Sequence, residues 1–294
     1  MRVNPDHTSG LLIALQRINA DEGSVLRQIA SGKRIENPSD DPAGIAALAQ
    51  LQSADANSQQ FVRNISSVRT YMQMSDSTLN SVVLDLERAV SLGVRGANST
   101  MTPVDRNALA LEIEGINAHL VDLANSSLQG TFLFAGTSST TEPFLSSSGS
   151  VKYQGNANTN QVQIGEGLWI PTSVSGDQVF GADGTNAFDA LQSLVAAVQS
   201  GGDVESAISA VSSHRDQVSA ARVIYGNSLN QLDSAELVMN QRHIQLAQQE
   251  TELAGTDMAE AATNLSSAET ARNAVLATIA KAGATSLFDY LTGE

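Results

Sequence analysis

The chain has 294 residues, a formal net charge of −15 and no cysteine. The length allows one or two domains, and the missing thiols exclude a disulfide framework, a thiolate metal site and a cysteine nucleophile. The acidic balance disfavours a nucleic-acid backbone or an anionic membrane as partner, and with aromatics at 4% small side chains must do most of the packing.

Residues 1–7 carry Pro5 among mostly polar neighbours and are expected to be loose. From Thr8 the apolar seats Leu11, Leu15, Ile18, Val25 and Ile29 recur in helical steps, with one polar seat at Glu22. Ser31-Gly32 offers a helix stop, because glycine enters the left-handed region without a Cβ penalty. Ile35 to Pro42 reads as a short linker, with Asn37 and Asp41 each held extended by a following proline. Asp41 can cap the next helix and Pro42 can open it. Asp40 and Asp41 are too few carboxylates for a metal.

A second long helix is predicted from Ala43 to about Ala97, along the seam Ile65, Val68, Met72, Ser75, Leu79, Val82, Leu86 and Ala89. Asn98-Ser99-Thr100 breaks it, and Thr102-Pro103 restarts a third helix carrying Leu109, Ile113, Ile116, Leu120 and Leu123. At Gly130 the character changes. The runs 131–136, 151–153, 162–164, 168–170 and 179–180 are strand-sized and lie between Gly, Asn, Ser and Pro clusters. Trp169 is expected in the core of this segment, and Gly165-Glu166-Gly167 reads as a turn between strands.

Ala187 to Gln199 predicts a short helix with Phe188, Leu191, Leu194 and Val198 on one face. From Asp203 to Leu253 every seventh residue is apolar: Val204, Val211, Val218, Tyr225, Leu232, Met239, Leu246 and Leu253. That spacing is one seam of a helix wound at 3.5 residues per turn, about 75 Å long at 1.5 Å per residue. The row four residues on is half polar: Ile208, Arg215, Arg222, Leu229, Glu236, His243 and Glu250. Such seats suggest a helix pressed on its own chain on one side and on other subunits or water on the other. Gly255-Thr256 interrupts the rod, and Asp257 with Glu260 has capping-box spacing for a new start. A last seam follows through Met258, Ala261, Leu265, Ala268, Val275 and Ile279, ending in the apolar tip Leu287-Phe288-Asp289-Tyr290-Leu291.

These patterns predict a mainly α protein: an elongated antiparallel bundle or coiled coil of long helices from the N- and C-terminal segments, with a small inserted β-rich domain. The expected parts are a terminal domain of 1–40 with 256–294, a helical rod of 41–130 with 185–255, and an outer β-rich domain at 131–184. The expected assembly seam comprises Leu11, Leu15, Ile18, Val25, Ile29, Met258, Leu265, Val275, Leu276, Ile279, Leu287, Phe288 and Leu291. Both ends then carry half-satisfied apolar faces that want each other and further subunits.

Catalytic chemistry has no foothold in these patterns. His7, His119, His214 and His243 lack zinc-site spacing and read as solvated. No nucleophile elbow or phosphate-binding glycine loop is present, and Arg27, Lys33 and Arg34 are too small a basic group for a nucleic-acid footprint. No cofactor, metal or enzymatic activity is expected. No apolar run reaches membrane-spanning length, and the opening MRVNPDHTSG lacks the pattern of a cleaved leader.

Ser31 to Gly44, reading SGKRIENPSDDPAG, resembles the N-terminal signature of the flagellin superfamily. Asp257 to Ser266, reading DMAEAATNLS, with Ser286 to Leu291 resembles the C-terminal one. Within it, Gly32-Lys33-Arg34 with Pro38 and Pro42, the run Phe132 to Thr137 followed by Pro143-Phe144, and Arg222 to Asn230 are similar to the hook-associated protein 3 branch. That branch usually has Ala or Val where Tyr225 stands. The resemblance implies a structural role at the junction of hook and filament. The implied partners are further copies in a ring, hook-associated protein 1 on the hook side, flagellin on the filament side, and an export chaperone at the C-terminal region. It also implies passage through the flagellar type III channel to an extracellular address, without a cleaved signal. Residues near 1–40 and 256–294 would be mobile in the monomer and would pair along the central tube in the assembly. The middle helices would then touch neighbours and the β domain would face outward. The alternatives are a filament flagellin and, from another class, a secreted sugar-binding module or enzyme carried by 131–184.

Overall fold

The computed structural model describes residues 6–147 and 150–291, with side chains placed for 9–146 and 150–281. Seven helices and six short strands lie among the described residues. The helices are α1 (Asp6–Ser31), α2 (Pro42–Gly96), α3 (Pro103–Ala124), α4 (Gly176–Phe180), α5 (Ala187–Ser200), α6 (Val204–Ala254) and α7 (Met258–Leu291). The strands are β1 (Ser127–Leu128), β2 (Thr131–Phe132), β3 (Phe144–Ser147), β4 (Ser150–Tyr153), β5 (Gln161–Gly165) and β6 (Leu168–Pro171). The chain forms two compact units: residues 57–242, and residues 1–56 with 243–294. Both α2 and α6 contribute to each unit.

The central unit, 57–242, holds the main core. Every seat of the predicted α2 seam from Ile65 to Ala89 is buried, including Ser75, whose hydroxyl donates back to Tyr71 O at 3.0 Å. The α6 anchors Val204, Val211, Val218, Tyr225, Leu232 and Met239 are buried with them. Full burial of each such side chain contributes roughly 1.5–3 kcal/mol. α3 packs against α5 through Leu109, Ile113, Ile116 and Leu120 on one side and Phe188, Leu191, Leu194 and Val198 on the other. Local chemistry sets the ends of both. Thr102 Oγ1 accepts from Asp105 N at 3.2 Å to start α3. Asn186 Oδ1 accepts from Asp189 N at 2.9 Å to start α5, and Gly201, at φ 70°, ends it.

The insertion between α3 and α5 is three separate antiparallel strand pairs, β1–β2, β3–β4 and β5–β6. Its interior is aromatic: Phe134, Phe144, Phe180, Phe188 and Tyr153 meet at ring separations of 5.1–5.6 Å. Two expectations are corrected here. Val179-Phe180 is not a strand but the end of α4. Both side chains are fully buried. Trp169 is not core: it is 55% exposed, while its neighbour Ile170 on the other face of β6 is buried. The predicted run 131–136 is strand only over β2; Leu133 to Ala135 leave the ladder and are fully buried.

In the terminal unit, α1 packs against α7. The two run antiparallel, since Lys33 bridges Gly255 in that sense while Glu22 reaches Arg272. Beside this pair, Ile35 seats against Leu48 and Ala254, with Ile45 and Leu253 around them. Asp41 Oδ1 accepts from Gly44 N at 2.9 Å and so caps α2. Gly44 must be small: a Cβ there would lie 2.6 Å from Ile35 Cδ1 and 2.5 Å from Asp41 Oδ2.

Candidate assembly interface

The seats predicted on α1 and α7 lie largely on one face of each helix, and of those with described side chains only Ala261 is fully buried. Leu11, Leu15, Ile18, Glu22, Val25 and Ile29 are half-buried, as are Leu265, Ala268, Val275 and Ile279. Among the described side chains of α7, small Ala261 is the fully buried one. Glu22, the one polar seat, is answered: both its carboxylate oxygens accept from Arg272 Nη1, at 2.9 and 3.0 Å. Leu276 lies off this inner face and is exposed, and Met258, the first residue of α7, is exposed at the end of the row. Leu12, Ile13 and Leu26, which the seam reading passed over, are exposed on α1. The adjacent apolar residues in the run from Leu11 to Ile13 were the available signal, since one stripe cannot take three neighbours. Leu287, Phe288 and Leu291 lie outside the described side chains.

Where α1 ends and α7 begins, the backbone is tied together. Gly32, at φ 68°, turns the chain out of α1. Arg34 N donates to Ala254 O at 2.7 Å, and Thr256 N donates to Gly32 O at 3.0 Å. The Arg34 guanidinium donates to Leu253 O at 2.9 Å, one of the carbonyls that the end of α6 leaves without a helical partner. On the far side of the break, Asp257 Oδ1 accepts from Ala259 N at 2.9 Å and Glu260 N at 3.2 Å, as the capping spacing predicts. The neighbouring turn is held by Asp40. Hydrogen bonds from Asn37 N and Glu36 N keep its carboxyl below the ordinary value of 3.8.

Four of the five polar seats in the half-polar row of α6 face this chain's own α2, and the fifth, Arg215, pairs with its neighbour Asp216 on α6. In the central unit Arg222 Nε donates to Asp76 at 2.9 Å, and Arg69 pairs with both Asp233 and Glu236. In the terminal unit His243 pairs with Asp55, and Gln52 donates to Glu250 at 3.2 Å. The polar seats left open for other subunits are thus answered within the chain. Three of the histidines are engaged rather than simply solvated: His243 as above, His119 with Asp85 at 2.7 Å, and half-buried His214, whose pKa burial pushes below 6.5.

Tyr225, the departure from the usual small residue, is almost wholly buried. Its hydroxyl accepts from Val174 N at 3.0 Å and pins α6 to the segment before α4. Burial raises its pKa and that of Tyr71, so both phenols stay protonated. Tyr71 donates to Phe132 O at 2.8 Å and makes a matching link from α2.

Among the described residues no three metal-ligating side chains converge, and no helix is long and apolar enough to cross a membrane. The pocket between α2 and the insertion, about 310 Å³, is lined by Ser67, Tyr71, Thr131, Asn160 and Ser173 among others, with no carboxylate or histidine. Val223 with Leu237, and Ile224 with Val238, stand exposed along α6, each pair two heptads apart.

Residues 9–139 match the bacterial flagellin N-terminal helical region, and residues 202–291 match the bacterial flagellin C-terminal helical region. The flagellar hook-associated protein 3 of Escherichia coli is 28% identical over 256 residues, covering 78% of this chain and 80% of that protein. The protein of the same name from Salmonella typhimurium is 29% identical over 161 residues, and the match spans half of its length. Polar flagellin F of Vibrio parahaemolyticus is 30% identical over a shorter stretch, 36% of this chain and 28% of that one. The fold is similar to a solved putative flagellar hook-associated protein from Vibrio parahaemolyticus. Its TM-score is 0.70 at 22% identity, over 74% of this chain and all of that one.

Proposed function

The chain belongs to the bacterial flagellin family, and from that premise we propose that it is a structural subunit of the flagellum joining hook to filament. The observation that carries this reading is the α1–α7 pair, where the two ends of one chain meet along an inner face that stays half-buried. Half-buried seams contribute only part of their transfer free energy until something else covers them. The chain supplies the complementary need on the outer side: Leu12, Ile13, Leu26 and Leu276 stand exposed on the same two helices, and Met258 is exposed at the start of α7. Further copies of the subunit are the proposed cover.

In the assembled junction the inner row of Leu11, Leu15, Ile18, Val25 and Ile29 meets Leu265, Val275 and Ile279 within a subunit. Met258 and Leu276, with the tip residues Leu287, Phe288 and Leu291, complete the seam between subunits. Hook-associated protein 1 lies on the hook side and flagellin on the filament side, and an export chaperone holds the C-terminal region before assembly. The segments 1–40 and 256–294 act as the terminal domain, 41–130 with 185–255 as the rod, and 131–184 as the outward domain. Export to the extracellular flagellum proceeds without a cleaved signal.

The length of the match to hook-associated protein 3, against the shorter one to a flagellin, favours the junction over the filament. Two variants separate inner from outer contacts. Leu265→Asp is expected to break the α1–α7 pair and abolish junction assembly. Leu276→Asp is expected to leave that pair formed and still abolish assembly, because only the covering neighbour is lost. Cells carrying Leu276→Asp should show bare hooks and flagellin lost to the medium; normal filaments would overturn the reading. The second reading, a filament flagellin, is supported by the flagellin matches themselves. Purified protein that grows alone into long filaments would favour it.

A further inference from the structure

Four helix ends meet around residues 32–41: the end of α1, the start of α2, the end of α6 and the start of α7. Arg34 touches nearly all of them. Its backbone N–H binds Ala254 O, and its guanidinium binds Leu253 O while lying 3.8 Å from Asp41, the cap of α2. The adjoining Lys33–Gly255 bridge and the Thr256 N to Gly32 O bond close the knot on the α1 and α7 sides.

The α1–α7 seam needs such a fixed point. Its apolar seats recur in steps of three and four on both helices, so sliding one helix by a heptad leaves apolar seats facing apolar ones. Such a slip would break the ion pair of Glu22 with Arg272. In its place Glu22 would face an apolar row that includes Leu265 and Ile279. Repetitive helix pairs are held in register by a specific polar contact rather than by burial.

We infer that Arg34 is the positioning residue that sets the register in which α1 and α7 meet, and so the alignment of the seam offered to neighbouring subunits. It acts from outside the seam, three residues beyond the end of α1, by fixing where the two helices start. A guanidinium suits the task because its planar fork can engage a helix-end carbonyl and a carboxylate together. Gly255 cooperates: a Cβ there would lie 2.3 Å from Thr251 O, so a larger residue must shift the Gly255 backbone that forms the bridge. The inference deepens the assembly reading and rests on it for its consequence, but register is measured on the isolated chain and stands or falls without it.

The chain has no cysteine of its own, so introduced pairs report alone. Glu22→Cys with Arg272→Cys marks the observed register. Glu22→Cys with Leu265→Cys, and Glu22→Cys with Ile279→Cys, mark slips of one heptad either way. Each is made in the full chain, with and without Arg34→Met, and treated with a short bifunctional thiol reagent. The first pair is expected to link about tenfold better than the slipped pairs while Arg34 is present, the worth of a charge-assisted hydrogen bond. Arg34→Met should bring the three yields towards equality at unchanged helix content, and Arg34→Lys should recover the preference only in part. Gly255→Val should repeat the Arg34→Met pattern by breaking the bridge from its other strand. An unchanged preference in Arg34→Met, or loss of all three links together, would overturn the inference. The first would leave register to the seam, and the second would make the knot a mere fastener.

Discussion

The two units use the same kind of sequence to different ends. In the central unit the α2 row from Ile65 to Ala89 and the α6 anchors from Val204 to Met239 are buried, and five aromatics close the insertion. In the terminal unit the apolar residues buried among the described side chains are Ile35, Leu48, Ala254 and Ala261, while the α1–α7 seam stays half open. The α6 heptad records the change along one helix: its anchors are buried through Met239, but Leu246 and Leu253 are only half-buried. Periodicity alone therefore does not set burial. A seam is stable to the extent that its own chain covers it, and the uncovered remainder is what an assembling subunit presents.

The largest test of that contrast is a matched pair of truncations. Leu86→Ala, at a fully buried seat of α2, should cost about 2–5 kcal/mol, read as a lower denaturant midpoint for the central unit. Leu15→Ala, on half-buried α1, should cost the monomer far less and show its effect mainly as weaker assembly. Similar losses from the two would erase the distinction. Next comes Tyr225→Phe. Removing the hydroxyl leaves Val174 N without its acceptor and should cost about 1–3 kcal/mol. The loss should appear as faster amide exchange at Val174 and in α4, with the terminal unit unchanged.

Gly44→Ala should act in the opposite place. Its Cβ would press on Ile35 and the Asp41 cap, costing about 1–3 kcal/mol for an overpacked site. Faster exchange should be confined to residues around 35–48, and a spread into the central core would count against two separate units. The smallest expected effect depends on pH. Burial depresses the pKa of His214 below 6.5, and Asp189 is the charged group that opposes the shift. The unfolded chain then binds the proton first, so the central unit should lose stability as pH falls from about 6.5 through the lower folded value. His214→Gln should flatten that slope; an unchanged slope would place its origin elsewhere.

Much of this was open to a reader of the chain alone. The seam of α2, the Thr102-Pro103 start of α3, the Gly32 stop, the Asp41 and Asp257 caps and the heptads of α6 are local signals. Their physical cause lies within a few residues of each. The resemblance of both ends to one superfamily was equally plain in Ser31 to Gly44 and Asp257 to Ser266. The misreadings share a cause too. Val179-Phe180 and Trp169 are apolar runs too short for periodicity to separate helix from strand, or inward from outward.

Composition and spacing determined that this chain would be mainly helical, that its two ends would want each other, and that no thiol would organise it. Tertiary structure alone decided that the polar row of α6, Arg215 apart, is met by α2, that Tyr225 reaches Val174, and that Arg34 ties α1 to the end of α6. The pairs Asp76–Arg222, Val174–Tyr225 and Arg34–Leu253 join residues far apart along the chain. A helical repeat constrains only its nearest turns. Which distant carboxylate, carbonyl or N–H meets a given side chain is fixed only when the helices have packed.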